Sequence, residues 1–291
     1  MIQRLLQWVN RSQPNTPVIN DEWQAEDLTS NRAELAQRWI AGAGIEIGAL
    51  HQPTAVAPGV TVRYVDYRTQ TENQARYPEL SDRKIAATDI LDDGFILRKV
   101  SDDSQDFVIA NHALEHSPDP YGTLLVWKKK LRRRGVLYFA VPIAEKCYDH
   151  GRPLTTLDHF LEDRRLFASV DVAGVLAVTE GHLRDFMSIS DANIRREIQQ
   201  REAMTQAEIE QACAVLLARL RSALQAVRTP ADLLTAHVVN LNKYYDIHYH
   251  TFSPTSLFEF TAHFCRRERC ELLDVRKSGG GEAIAVLRKI G

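Results

Sequence analysis

The sequence predicts an α/β protein built on a mostly parallel sheet flanked by helices. Three observations carry that prediction. The first is a series of short apolar runs that each end in an acid: Ile45-Glu46-Ile47-Gly48, Val62-Arg63-Tyr64-Val65-Asp66, and Ala87-Thr88-Asp89-Ile90. A strand of that kind delivers a carboxylate to the carboxyl edge of a parallel sheet, where ligands bind. The second is the apolar run Phe107 to Ala110, which feeds Asn111-His112-Ala113-Leu114-Glu115-His116 and then a helix start flanked by Pro118 and Pro120. The third is a pair of strand-like runs, Glu271 to Arg276 and Ala283 to Arg288, separated by Ser278-Gly279-Gly280-Gly281.

The elements follow in order along the chain. Residues 1–29, with Trp8, Pro14, Pro17 and Trp23, read as a loosely attached N-terminal arm. Ser30-Asn31 then opens a helix through Trp39, with Asn31 and Glu34 at capping-box separation. Gly42 and Gly44 precede the first strand, so with Gly48 they only mimic a dinucleotide fingerprint, whose glycines must follow the strand. The periodic stretch Tyr121 to Leu131 is a helix, and Val136 to Pro142 a strand. The core covers residues 30–159, a helical insertion or lid residues 160–250, and a closing helix with the final strand pair residues 251–291. Within the insertion, Thr205 and Glu208 form a capping box. Ile209, Cys213, Leu216, Leu217, Leu220, Leu224 and Val227 keep a helical stripe until Pro230, a pattern that suits either an inserted lid or a dimer-forming helix.

The three strand-ending acids, the Glu46-Ile47-Gly48-Ala49 turn and the His112 to Pro120 segment resemble class I S-adenosylmethionine-dependent methyltransferases. The segment Arg152-Pro153-Leu154-Thr155-Thr156 is similar to a bacterial branch of that family often encoded beside surface-polysaccharide glycosyltransferases. The resemblance implies a Rossmann-like, mostly parallel seven-stranded sheet, S-adenosylmethionine as cofactor and methyl transfer as activity. In that family the first acid lies beside the amino-acid part of the cofactor, the second holds the ribose hydroxyls and the third meets the adenine. By resemblance Glu46, Asp66 and Asp89 take those places, with Gly48, Ala49, Tyr67, Ile90 and Asn111 completing the cofactor set. The family's turn carries two or three glycines, whereas only Gly48 stands here.

Methyl transfer to a hydroxyl needs alignment, exclusion of water and a proton acceptor. His112 and His116, four residues apart beside the fourth strand, are candidate bases, and His150 in Asp149-His150-Gly151-Arg152 is a third. Arg152, with the guanidinium geometry for a carboxylate or phosphate, joins Thr155 and His248 as acceptor-binding candidates; the alternative for Arg152 is an ion pair inside the fold. In Asp246-Ile247-His248-Tyr249-His250, strand alternation would put three polar side chains on one face, compatible with a metal. The expectation is nonetheless an acceptor-lining or structural role, and no metal.

The 291 residues, 44% of them hydrophobic, suffice for a core plus an insertion. A net charge of −2 offers no general attraction to nucleic acid, and the one basic run, Lys128 to Arg134, falls at a helix end where cations complement the dipole. Cys147, Cys213, Cys265 and Cys270 lack the spacing of a disulfide framework or zinc knuckle. With no secretory segment or membrane span legible, a soluble cytoplasmic enzyme is expected, acting on a sugar or other polar small molecule, with a homodimer allowed by the helical stripe. Two other readings stand beside it. One is an NAD-dependent oxidoreductase, which the missing pyrophosphate glycines oppose. The other is a catalytically silent, methyltransferase-like interaction module.

Overall fold

The computed structural model describes residues 28–242 and 246–291. The expected N-terminal arm therefore lies almost wholly outside the described residues. The chain forms α1 (Leu28–Trp39), β1 (Ala43–Ile47), β2 (Thr61–Asp66), α2 (Gln70–Arg76), β3 (Ile90–Leu91), β4 (Gln105–Asn111), α3 (Pro120–Lys130) and β5 (Leu131–Pro142). Then come α4 (Leu157–Ser169), α5 (Val172–Asp185), α6 (Gln206–Leu224), α7 (Pro230–Asn240), α8 (Pro254–Glu268), β6 (Cys270–Ser278) and β7 (Glu282–Lys289). Single wide turns of helix, Phe186–Ser190 and Ile194–Ile198, continue α5.

The seven strands form one sheet in the order β3-β2-β1-β4-β5-β7-β6. β1 to β5 pair in parallel, and β7 runs antiparallel to both its neighbours. This is the Rossmann-like, mostly parallel seven-stranded arrangement that the sequence predicts. Its strand order reverses between β1 and β4, and such a switch point opens a crevice at the carboxyl edge.

Alternation along the strands builds two apolar layers. Val108 and Ala110 face Leu124 and Trp127 of α3 and Phe260 and Phe264 of α8, whereas Phe107 and Ile109 face Leu35 and Ala36 of α1. Gly44 lies inside β1, not before it, and a side chain there would not fit, since a Cβ would stand 2.3 Å from the Phe107 carbonyl oxygen of β4.

Three local expectations meet different detail. α1 begins at Leu28, ahead of the expected Asn31 cap. The basic run divides between α3 and β5, and several of its cations meet acids: Lys129 and Lys130 approach Asp102 at 2.8 Å each, and Arg132 approaches Asp106 at 2.8 Å. The α6 stripe is buried within the chain. Leu220 and Leu224 join Phe167, Val175 and Leu233, while Ile209 and Cys213 join Leu183, Phe186 and Tyr249. The Thr205–Glu208 capping box forms as read. No described helix is long and apolar enough to cross a membrane.

Candidate active site

A cavity of about 310 Å³ opens at the carboxyl edge of the sheet, within the usual range for small-molecule sites. Ile47 and Gly48 at the end of β1, Val65 to Arg68 at the end of β2, Asp93 to Phe95 after β3, and His112, Ala113 and His116 after β4 line it. The end of α7, with Val238, Val239 and Asn242, and Asp246 beyond it close the other side. Gly48 adopts φ 65°, a left-handed conformation that glycine takes without a side-chain penalty.

Asp66 ends β2. Its Oδ1 accepts from the Arg68 backbone N–H at 2.9 Å and its Oδ2 from the Asn73 amide at 3.0 Å. Burial raises its pKa, against those hydrogen bonds. Each carboxylate oxygen keeps a further lone pair, so the group is held in one orientation without being saturated. Arg68 stacks its guanidinium 4.2 Å from the centre of the Tyr67 ring, which stiffens that wall.

Asp93 was not singled out in the sequence. Its Oδ1 accepts from the Phe95 N–H at 2.9 Å, and its Oδ2 is buried without a partner. Burial pushes its pKa up to about 6, with the neighbouring Asp92 charge adding to the rise against the Phe95 hydrogen bond. Asp89 instead precedes β3, accepts from the Tyr64 N–H at 2.8 Å, and does not line the cavity. The legible signal for Asp93 was its place in Asp92-Asp93-Gly94 just after β3, but Asp89 fitted the run-then-acid pattern better.

Glu46 is buried behind the cavity. It accepts from the Thr54 N–H at 3.0 Å and from the Thr54 hydroxyl at 2.7 Å. Asn111 donates to the same hydroxyl at 2.8 Å. These groups pin the turn from Gly48 to Thr54 rather than line the cavity; desolvation raises the Glu46 pKa despite the Thr54 contacts. Ala49 lies in that turn, and Ile90 packs against the core beside β2.

His112 and His116 both reach the cavity, from a polar turn that includes one 3-10 turn, Leu114–His116, ahead of the helix that begins at Pro120 as the sequence predicts. His112 takes φ 51° as the chain leaves β4, and its Nε2 lies 2.9 Å from Glu282 at the start of β7. Glu282 also receives Arg32, with Nε at 2.9 Å. Burial works to raise the Glu282 pKa, but His112 and Arg32 bring it below its ordinary value. An ionised Glu282 fixes the proton of His112 on Nε2 and leaves Nδ1 as an acceptor. Glu282 gave no sequence signal, since it stands in a hairpin about 170 residues away from its partner.

His116 donates from Nδ1 to the Ile247 carbonyl at 2.8 Å. Burial disfavours its charge, but Asp246, Glu115 and that carbonyl together raise its pKa. His248 packs edge-on to the His116 ring with centroids 4.6 Å apart. Its Nδ1–H donates to Asp149 at 2.6 Å and its Nε2 accepts from the Tyr148 hydroxyl at 2.5 Å.

The loop after β5 does not reach the cavity. Arg152 is buried, 3.0 Å from Asp149 and 2.9 Å from the His248 carbonyl oxygen. Thr155 pairs with Thr251 through the Thr251 N–H at 3.0 Å, and the half-exposed His150 meets Glu197 at 2.9 Å. The alternation Asp246, His248, His250 forms no common face, because the segment is not a strand and the three side chains turn to His116, Asp149 and Asp163.

No protein-family model matches the chain, and no curated protein matches it significantly. Solved structures align with it at low identity. One from Rhodobacter sphaeroides, provisionally described as a Zn-dependent alcohol dehydrogenase, is 13% identical, with 94% of this chain and 91% of that chain covered and a TM-score of 0.44. The YcgJ protein from Bacillus subtilis is 15% identical over 91% of this chain and 98% of its own, with a TM-score of 0.36. A Galdieria sulphuraria protein, provisionally described as a sarcosine dimethylglycine methyltransferase, is 13% identical over 99% and 97%, with a TM-score of 0.35. Scores this low carry no weight for chemistry, which must be read from the site.

Proposed function

We propose that the chain is an S-adenosylmethionine-dependent methyltransferase that O-methylates a polar, hydroxyl-bearing small molecule, with saccharides the first class to test. The observation that carries this reading is the pair of incompletely satisfied carboxylates, Asp66 and Asp93, at successive strand ends of one cavity. Asp66 suits a vicinal pair of ribose hydroxyls, and the partnerless Asp93 Oδ2 suits an exocyclic amine. Ile47, Val65 and Phe95 give the apolar walls a nucleoside needs. The single-glycine turn fits a ligand without phosphate, where a dinucleotide would demand several close N–H groups.

Bound there, S-adenosylmethionine supplies an electrophilic methyl group. The chain orients the cofactor through Asp66, and α7 with Asp246 screens the cavity from water. His112 Nδ1 takes the hydroxyl proton while Glu282 stabilises the imidazolium that forms. His116, held by the Ile247 carbonyl, positions the acceptor beside His112. In this reading the 160–250 region is a lid over the acceptor side.

Parallel calorimetric titrations with S-adenosylmethionine, S-adenosylhomocysteine and NAD test the proposal. Saturable binding of the first two with no heat from NAD is expected. Binding of NAD alone, or of none of the three, would remove the methyltransferase reading.

A further inference from the structure

Four side chains converge away from the cavity, where the helical region meets the segment leading into α8. His159 and Asp163 lie one turn apart on α4, His182 lies in the last turn of α5, and His250 comes from the stretch before α8. The Nε2 atoms of His159, His182 and His250 stand 3.4, 3.6 and 3.5 Å from the same oxygen, Asp163 Oδ2. His159 Nε2 and His182 Nε2 are 3.3 Å apart, and one donor atom from each of the four residues falls within 4.8 Å of all the others.

That geometry is poor for hydrogen bonding and good for shared coordination. Both Asp163 oxygens and both His250 ring nitrogens are buried without a hydrogen-bond partner. Buried polar groups rarely stay unpaired, because each costs roughly 1–3 kcal/mol. Ligands about 2.0–2.1 Å from a tetrahedral ion stand roughly 3.3–3.5 Å from one another, close to the 3.3–3.6 Å separations of the His159–His182 pair and of the three imidazoles from Asp163. Three imidazoles and one carboxylate are a borderline-soft donor set that suits zinc and neighbouring first-row divalent ions, and not calcium or magnesium, which prefer all-oxygen shells.

We propose that His159, Asp163, His182 and His250 bind one divalent first-row metal ion, zinc foremost, as a structural centre. Four protein ligands close the shell, which distinguishes such a site from a catalytic one with an open position. The ion ties α4 and α5 to the 246–252 segment. That segment is anchored to the sheet edge through the Tyr249 N–H, which donates to the Glu115 carbonyl at 2.9 Å, and it carries Asp246 into the cavity. The sequence reading expected no metal. Only the His159–Asp163 spacing was local, and the other two ligands join it through folding alone.

The test is elemental analysis of the tag-free full-length protein, followed by chelation and titration with zinc chloride alone. About one equivalent per chain is expected, with Tm falling on chelation and recovering on zinc addition. Cobalt substitution should give the intense visible bands of a four-coordinate site. Asp163→Asn and His250→Gln should each weaken zinc affinity by at least about 100-fold, more than loss of a residue that only hydrogen-bonds to a ligand usually does. Because those buried changes also threaten folding, His159→Gln, at a side chain 42% exposed, provides a folded comparison that should weaken zinc binding by at least about tenfold. A well-folded wild type that takes up no zinc at micromolar concentration overturns the proposal. So does zinc binding that is unchanged in His159→Gln and His182→Gln, which would place the ion elsewhere, for example at Glu115, His116 and His248. Neither readout depends on S-adenosylmethionine.

Discussion

The cavity at the sheet edge and the histidine cluster of the helical region both gather charged side chains, but they leave different things unsatisfied. In the cavity wall, Asp66 and Asp93 are each oriented by backbone or amide donors and keep unused acceptor capacity. In the helical region, Asp163 and His250 are sealed and face one another across hydrogen-bond-poor distances. The first arrangement offers donors and acceptors to a ligand that comes and goes. The second turns its unpaired acceptors toward one another. Polar groups thus report what they await by the shape of the space they leave.

Predictions that separate the two regions begin with the proposed base. His112→Gln should lower kcat by about 10²–10⁴ while leaving the Kd for S-adenosylmethionine within about threefold. Stopped-time methyl transfer and calorimetry on one preparation decide it. An unchanged kcat would move the base to His116 or dispense with one. Glu282→Gln should reproduce part of that loss, since it removes the charge that fixes the His112 tautomer.

Phe160 joins the histidine cluster to the apolar core under the sheet. It is fully buried on α4, stacks on Phe252 at 5.3 Å, and touches Phe260 at 4.4 Å and His250 at 5.0 Å. Phe160→Ala should cost about 3–5 kcal/mol of stability in urea unfolding. It should also weaken metal uptake while the folded fraction binds cofactor normally, because Phe160 does not line the cavity. Equal loss of both activities in folded protein would show that the regions are not separable.

Asp66→Ala should act in the opposite sense. About a 100-fold loss of S-adenosylmethionine affinity is expected, roughly 2.7 kcal/mol, with zinc content and Tm nearly unchanged. Retained cofactor affinity would break the assignment of the β2 carboxylate.

The same contrast explains what the sequence disclosed. Sheet and cavity were legible because each strand is an apolar run whose end is marked by its own neighbours: Ile45 to Gly48, Val62 to Asp66, Phe107 to His112. A parallel sheet brings those ends together, so local pattern predicts global position. Asp93 escaped because β3 is only two residues long, so the acid that reaches the cavity lies after a strand too short to be recognised. The Glu282–His112 pair and the His182 and His250 approach to Asp163 are contacts between distant segments, for which periodicity has no signal. Arg152 shows the converse: its type suggests an anion site, but burial beside Asp149 decides its partner.

The finest test of the comparison is the pH response of Asp93, whose pKa burial pushes up to about 6. An unfolded Asp titrates near 3.9. The folded state therefore holds this proton more tightly, and its contribution to stability is fully present below about pH 4 and lost as pH rises through 6. Asp93→Asn removes that dependence and should be more stable than wild type by on the order of 2 kcal/mol at neutral pH, with the difference vanishing near pH 4. Cofactor affinity should run the other way, because an amine donor needs the ionised carboxylate. Between pH 7 and pH 5 wild type should lose about tenfold in S-adenosylmethionine affinity, whereas Asp93→Asn binds weakly and almost without pH dependence. A wild-type affinity flat across that interval would show that Asp93 does not meet the ligand. The opposed slopes of stability and binding are what a group poised for a ligand should display.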